Sequence, residues 1–179
     1  MKHLFWLVEG ALAGRPGPNV ATWEPQELYD GGIRAVLTLN RGYGVDVDSL
    51  EAVGIAHKRI PILVQEPPQS DALEVAWPAL EETSCWVWEQ IQSGNPVLVH
   101  CTHGKDRTGL LLAYLLVRYY GQTSQDAIAH VRHVRPIALT AVGWEQFAND
   151  LLARCEVGST VGGKQELFLS QPTLADTAK

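Results

Sequence analysis

The chain has 179 residues, of which 46% are hydrophobic and 19% are charged, so it is long enough for one globular domain and lacks the composition of a disordered chain. Its net charge of -6 argues against nucleic acid or an anionic membrane as the main partner, because both bind basic surfaces. It contains no run of about 18 uncharged apolar residues, which predicts no stable insertion into a membrane.

The three cysteines are an odd number at wide spacing, which does not indicate a disulfide framework. We therefore expect a reducing, cytoplasmic location, and we expect a monomer. The apolar residues at the N-terminus are interrupted by Glu9, so they are too few for a signal peptide and are interpreted as a first strand.

Short apolar runs alternate with amphipathic stretches along the chain, which predicts an α/β fold. In chain order the expected elements are strands 4–8 and 11–14, helix 23–29, strand 33–39, helix 46–53, strand 55–62, helix 72–92, strand 97–100, a helix from about Thr108, and helices 124–133 and 143–154. One domain would span residues 1–157. Residues 158–179 would form a tail that is mobile or packs peripherally, because the apolar periodicity fades beyond Gly158.

Three local signals set expected boundaries between these elements. The sequence Arg15-Pro16-Gly17-Pro18 is expected to be a loop, because two prolines and a glycine interrupt a regular ladder. Thr22 and Asp71 precede helical patterns, and each has a side chain of the type that caps a helix.

The most informative stretch is Val97-Leu98-Val99-His100-Cys101-Thr102-His103-Gly104-Lys105-Asp106-Arg107-Thr108-Gly109. It places Cys101 directly after a buried strand and Arg107 six residues later, where a helix begins. A cysteine at the end of a strand usually fills a core, and an arginine at a helix start is usually a solvated charge. The joint spacing, with Gly104 inside it, is far more specific than either residue alone.

This spacing supplies what phosphoryl transfer through a thiol needs. The nucleophile must be a thiolate, which a helix N-terminus and a nearby cation stabilise. Backbone N–H groups of the loop would hold phosphate oxygens, and Gly104 would let the loop curl tightly. Arg107 offers a planar fork that binds two oxygens at once. Thr108 would hydrogen-bond the sulfur of Cys101 and ease its departure, while His100 would anchor the loop from behind.

The pattern His100-Cys101-x5-Arg107-Thr108-Gly109 resembles the signature of the protein tyrosine phosphatase superfamily. Residues 13–16, 29–39 and 126–136 are similar to segments of small atypical dual-specificity phosphatases, so the resemblance covers roughly residues 4–152. It implies a central, mostly parallel sheet of about five strands flanked by helices, with residues 1–157 as the catalytic domain. It also implies that Cys101 forms a phosphocysteine that water hydrolyses, and that no metal or cofactor is required. The residues expected to bind substrate are His100, Thr102, His103, Gly104, Lys105, Asp106 and Arg107.

The aspartate that serves these enzymes as general acid is absent from its usual place. Relatives carry it just before a proline-containing stretch, and this chain reads Ile62-Leu63-Val64-Gln65-Glu66-Pro67-Pro68 there. Glu66 is the nearest carboxylate, and a solvated loop charge is its alternative interpretation. Asp71 is a second candidate, although its position favours a helix cap. A third possibility is that no side chain acts as the acid.

The loop residues limit the substrate only in part. Lys105-Asp106 resembles a variant found in some phosphoinositide phosphatases and bacterial tyrosine phosphatases, where Lys105 would contact a second phosphate; a lysine simply paired with Asp106 is the alternative. Thr102-His103-Gly104 also resembles the loop of RNA 5′-triphosphatases, but the acidic balance argues against RNA. A phosphorylated protein is therefore the preferred substrate, with inositol phosphates or phosphoinositides as the alternative. A binding-only pseudophosphatase is a further hypothesis, supported only by the missing aspartate.

Overall fold

The computed structural model describes residues 1–161, including the side chains of residues 1–156. Five strands form one sheet: β1 (Phe5–Val8), β2 (Leu12–Pro16), β3 (Ala35–Thr38), β4 (Ala56–Arg59) and β5 (Val97–Cys101). Six helices surround it: α1 (Pro25–Asp30), α2 (Val47–Ala52), α3 (Ala72–Gln92), α4 (Asp106–Tyr120), α5 (Ser124–Val134) and α6 (Trp144–Val161). All of the predicted elements are present, and α6 continues beyond its predicted end. Most of the tail predicted over residues 158–179 lies outside the described residues.

The sheet has the strand order β1-β2-β5-β3-β4. β1 is antiparallel to β2, and the pairs β2·β5, β5·β3 and β3·β4 are all parallel. The predicted mostly parallel α/β sheet of about five strands is therefore confirmed. Because parallel strands all end at the same edge of the sheet, the loops after β2, β3, β4 and β5 meet there.

Alternating side chains on the central strand face two separate cores. Leu98 packs with residues of α1 and α2, such as Leu28 and Leu50, on one face of the sheet. Val97 and Val99 belong to the larger core on the other face, which α3, α4, α5 and α6 supply. Helices therefore cover both faces, as a parallel sheet requires. Helix α4 lies at the centre of the larger core and is buried from Thr108 to Val117.

Two predicted boundaries are wrong. Arg15 and Pro16 continue β2 instead of forming a loop. They lie beyond the register with β1, which begins at the pair Phe5–Gly14, so only β5 is bonded to them and the missing N–H of Pro16 leaves no gap on the β1 side. Thr22 does not cap α1, because that helix begins at Pro25 and Glu24 takes the cap position.

Two further helix starts differ in detail. Asp71 occupies the cap position of α3, but its side chain makes no cap hydrogen bond. Helix α4 begins at Asp106, two residues before the predicted start, so Arg107 lies within its first turn. The N–H groups of the first turn have no acceptor within the helix, and residues 105–107 line the same cleft as Cys101 at the end of β5.

Candidate active site

Cys101 is the last residue of β5, at the edge of the sheet where the parallel strands end. It is 3% exposed and pairs with Pro16 of β2 in the register of the sheet. Residues 102–105 then cross to the N-terminus of α4, and the N–H of Gly17 donates to the carbonyl of Thr102 over 3.0 Å. The thiol is thus held between a rigid strand and the positive end of a helix that is well anchored in the core.

Gly104 makes the tight path of this loop possible. Its φ is +56°, a conformation that residues with a side chain rarely adopt. A Cβ there would lie 2.4 Å from both the carbonyl carbon and the carbonyl oxygen of Arg15. The loop therefore rests directly on the backbone of β2, which only glycine permits.

His100 is buried behind the loop, where its ring contacts both the loop backbone and β3. It is 1% exposed, its Nδ1 lies 3.2 Å from the carbonyl oxygen of Cys101, and its Nε2 lies 2.7 Å from Thr38 Oγ1. Burial lowers the pKa of His100 to about 4, so the ring is neutral at pH 7. A neutral ring that donates from Nδ1 to the carbonyl must accept at Nε2 from the Thr38 hydroxyl. His57, whose Nε2 lies 2.9 Å from the same hydroxyl oxygen, then donates to it.

Arg107 is fixed by the segment that follows β4. Its Nε donates to the carbonyl of Ile62 over 2.9 Å, Nη2 donates to the carbonyl of Val64 over 2.7 Å, and Nη1 donates to Glu66 Oε1 over 2.8 Å. Its guanidinium also lies 5.6 Å from the centre of the Trp144 ring. These bonds use three of its five N–H donors, so among the described residues one N–H on each terminal nitrogen remains for a phosphate.

The structure brings Glu66, but not Asp71, to this site. Glu66 pairs with Arg107 and lines the same cleft as Cys101. Asp71 is exposed at the start of α3 and does not line that cleft. Of the two carboxylates considered from the sequence, only Glu66 therefore lies beside the expected phosphate clamp.

The cleft has a volume of about 110 Å³. It is lined by Glu66, Cys101, Thr102, His103, Lys105, Asp106 and Arg107, so five of the predicted substrate-binding residues meet there with the nucleophile and Glu66. His103 is exposed, and Lys105 is half-buried with its Nζ 3.8 Å from Asp106 Oδ2. Lys105 is therefore both paired with Asp106 and present at the cleft.

Asp106 also ties the start of α4 to the loop before α6. Its Oδ1 accepts from the N–H of Ala141 over 3.2 Å, and burial raises the pKa of its carboxyl group. Thr108, expected to bond the sulfur, is fully buried, and its Oγ1 has no partner among the described residues. The expected hydrogen bond from Thr108 Oγ1 to Cys101 Sγ is therefore not formed in this structure.

The sequence did not indicate three residues that shape the loop. Asn40, after β3, donates from Nδ2 to Thr102 Oγ1 over 2.9 Å. Arg135, after α5, donates to the carbonyls of His103 and Gly104. Arg15 of β2 meets the loop through its backbone, which lies against Gly104, while its buried side chain donates to the carbonyls of Pro16, Ala21 and Thr22. Each acts on a part of the chain distant in sequence or outside its own element, so no local pattern marks it; Arg15 and Arg135 stood out only as parts of the segments that resemble the family.

Residues 1–161 contain neither a cluster of metal ligands nor a helix able to span a membrane. These residues contain no group of three or more histidine, cysteine, aspartate or glutamate side chains arranged to hold a metal ion. None of the helices described here combines the length and the apolar content that a membrane span needs.

Comparison with known proteins identifies the family. Residues 12–122, more than half of the chain, match the family model of a polymorphic toxin system DSP-PTPase phosphatase. Dual specificity phosphatase 28 of Mus musculus is 28% identical over 115 residues, which cover 64% of this chain and 67% of that protein. The chain spans only between 34% and 51% of three further curated relatives.

Solved structures share the fold. The active form of Tk-PTP superposes with a TM-score of 0.65 and 24% identity, covering 86% of this chain and 98% of that one. PTPMT1 in complex with PI(5)P superposes with a TM-score of 0.68 and 14% identity, covering 88% and 99%. The chain belongs to the DSP-PTPase phosphatase family, and it is a small atypical dual-specificity phosphatase of the protein tyrosine phosphatase superfamily.

Proposed function

We propose that this chain hydrolyses phosphomonoesters of phosphorylated proteins, with Cys101 as the nucleophile and Arg107 as the phosphate clamp. The observation that carries the proposal is the cleft in which both residues meet at the N-terminus of α4. The positive end of the helix and the guanidinium favour a thiolate and a phosphate dianion in the same place. The complete set of Cys101, Arg107 and Thr108 favours an enzyme over a binding-only pseudophosphatase.

The proposed reaction has two steps. In the first, Cys101 Sγ attacks phosphorus, the P–S bond forms as the P–O bond to the substrate breaks, and the leaving oxygen takes a proton from an acid. In the second, water attacks phosphorus, gives its proton to the same group, and the P–S bond breaks to release phosphate and the thiolate. Thr108, whose buried hydroxyl has no hydrogen-bond partner among the described residues, would turn to donate to the departing sulfur.

Glu66 is the proposed acid. Its carboxylate lines the cleft beside Arg107, which places it near the oxygen that leaves. The same carboxylate occupies Nη1 of Arg107 in the free protein. A bound phosphate would compete for this nitrogen and release Glu66, which would then take a proton from solvent before giving it to the leaving oxygen. We place Asp71 outside the chemistry.

A second substrate class is supported by one specific observation. Lys105 lines the cleft together with Arg107, and a second cation suits a ring that carries more than one phosphate. The fold is also shared with PTPMT1 in complex with PI(5)P. Inositol phosphates and phosphoinositides are therefore the alternative substrates.

The decisive assay measures hydrolysis of p-nitrophenyl phosphate under reducing conditions by the wild-type protein and by Cys101→Ser. We expect turnover by the wild type alone, because serine lacks the easily ionised sulfur. Equal rates for the two proteins would contradict the proposal that Cys101 is the nucleophile of an active enzyme. Phosphotyrosyl peptides and inositol phosphates, compared by kcat/KM, would then separate the two substrate classes.

We further propose that the protein works as a monomer in a reducing compartment such as the cytoplasm, without nucleic acid as a partner. A nucleophile that must stay a thiol supports the compartment. The net charge of -6 supports the absence of a nucleic-acid partner.

A further inference from the structure

Arg135 makes two hydrogen bonds to the backbone of the loop around Cys101. It follows α5, and it donates from Nε to the carbonyl of Gly104 over 3.1 Å and from Nη2 to the carbonyl of His103 over 3.0 Å. Its guanidinium lies 5.5 Å from the centre of the Phe5 ring, so β1 and the loop enclose it from two sides. The fork of Arg135 thus spans two consecutive peptide groups.

Fixing two carbonyls also fixes two N–H groups. In a planar trans peptide the C=O and N–H bonds point in opposite directions. The carbonyl of His103 shares its peptide plane with the N–H of Gly104, and the carbonyl of Gly104 shares its plane with the N–H of Lys105. When Arg135 holds both carbonyls, it turns both N–H groups away from itself, as a loop that wraps a phosphate requires.

The position of Gly104 makes this support necessary. Glycine has the widest range of backbone conformations, so without a restraint its flanking peptides would rotate easily. Arg15 contacts the loop from one side, where a Cβ on Gly104 has no room, and Arg135 holds the loop by its carbonyls. Only the second contact fixes the direction of the peptide dipoles.

Arg135 supports the loop from outside the cleft. Burial lowers the pKa of the Arg135 guanidinium, and the sulfur of Cys101 opposes that shift by raising it. Arg135 itself does not line the cleft.

We propose that Arg135 is a positioning residue for phosphoryl transfer, which orients the N–H groups of Gly104 and Lys105 toward the phosphate and leaves the phosphate itself to Arg107. The proposal rests on the proposed function, because it assigns these N–H groups to the substrate's phosphoryl oxygens. It predicts that Arg135 affects the binding of a bare phosphate as well as the rate of the reaction.

The test measures the dissociation constant for inorganic phosphate by calorimetry and kcat/KM for p-nitrophenyl phosphate. We expect Arg135→Ala to weaken phosphate binding and to lower kcat/KM by about 10- to 100-fold each, because misdirected backbone donors lose most of their stabilisation of the anion. Arg154→Ala is the matched control. Arg154 pairs with Glu74 and lies over the Trp77 ring, so this substitution removes a comparable cation that has no contact with the loop.

A second variant, Arg135→Lys, keeps the charge but cannot bridge two carbonyls. We expect the dissociation constant of Arg135→Lys for phosphate to lie between those of wild type and Arg135→Ala. If the alanine variant does not fold, the comparison of Arg135→Lys with wild type is sufficient for the test. The proposal would be overturned if Arg135→Ala had a lower melting temperature but an unchanged dissociation constant for phosphate. It would also be overturned if Arg135→Lys bound phosphate and hydrolysed the ester as well as the wild type. If the wild type binds phosphate but does not hydrolyse the ester, the proposed function fails and the binding comparison still decides the role of Arg135.

Discussion

At the scale of single residues, the ion pair between Glu66 and Arg107 joins the two halves of the proposed chemistry. Glu66 Oε1 accepts from Arg107 Nη1 over 2.8 Å, although the two residues are 41 positions apart in the chain. The phosphate clamp and the proposed acid therefore contact each other before any substrate arrives. A shared contact of this kind means that substitution of Glu66 changes both the acid and the environment of the clamp.

The role of Glu66 as acid can be tested by varying the leaving group. We expect Glu66→Gln to lower kcat by about 100-fold for phenyl phosphate and far less for p-nitrophenyl phosphate, because a good leaving group needs less protonation. Asp71→Asn is the matched control, since it neutralises an exposed carboxylate outside the cleft, and its rates should stay within about twofold of wild type. An equal loss for both esters would indicate that Glu66 acts only through Arg107.

The sequence predicts the site residues that lie close together in the chain, but it does not predict the residues that reach the site only through the fold. Cys101 and Arg107 are joined by one short loop, so their spacing alone predicts a shared site. Asn40 and Arg135 reach the same loop from positions 62 and 31 residues away from their partners. No periodicity or local motif encodes a hydrogen bond to a carbonyl at that distance, because the tertiary fold creates it.

At the scale of elements, the loop between β5 and α4 depends on its direct contact with β2. The backbone conformation of Gly104 and the absence of a Cβ are two separate requirements at one position. Gly121, at the end of α4, has a similar φ of +66°, but a Cβ there would meet nothing within 4 Å. The two glycines therefore separate the effect of backbone strain from the effect of a clash.

We expect Gly104→Ala to lower kcat/KM by at least about 100-fold, because the loop must move off the backbone of β2 and the N–H donors move with it. Gly121→Ala should lower the free energy of unfolding by about 1 kcal/mol, through strain alone, and should leave kcat/KM unchanged. Steady-state kinetics and urea unfolding of both variants check this. Similar kinetic losses in the two variants would contradict the role of the contact with Arg15.

Element boundaries show where local sequence signals fail. Thr22 and Asp71 have side chains suited to capping, yet α1 begins at Pro25 and the Asp71 side chain makes no cap bond. The carbonyl of Thr22 instead accepts from Arg15. A cap is one hydrogen bond of about 1 kcal/mol, so tertiary contacts of a buried arginine override it easily.

At the scale of the whole molecule, the class of fold follows from the sequence more securely than its strand order. Branched apolar runs separated by amphipathic helices predict parallel strands, and the structure has them. The order β1-β2-β5-β3-β4 places the last strand at the centre, between β2 and β3. This arrangement puts Cys101 in the middle of the edge where four strands end, with Arg15 and Thr38 on either side of His100.

The central buried histidine should make the stability of the whole fold depend on pH. Burial holds the pKa of His100 at about 4, below the ordinary value of 6.5, so the folded state binds fewer protons than the unfolded state between these values. The resulting stabilisation is fully present above pH 6.5 and is lost as the pH falls toward 4. Its size is about 3 kcal/mol.

Burial also lowers the pKa of His57, which adds an effect of the same sign. Asp106 acts in the opposite sense, because burial raises its pKa.

The contribution of His100 is isolated by comparing slopes rather than absolute stabilities. Urea unfolding of the wild type and of His100→Gln at pH 7.5 and pH 4.5 gives the change in free energy of unfolding for each protein. Glutamine does not titrate, so we expect the wild type to lose about 2 kcal/mol more than the variant over this range, whatever stability the variant has at pH 7.5. Asp106 is present in both proteins, so its effect cancels in the difference; His57 bonds the same Thr38 hydroxyl as His100, so any change in its pKa counts as part of the His100 contribution. Equal losses would mean that His100 is not held neutral by the fold, and that the chain of hydrogen bonds from His57 through Thr38 to the carbonyl of Cys101 has a different proton arrangement.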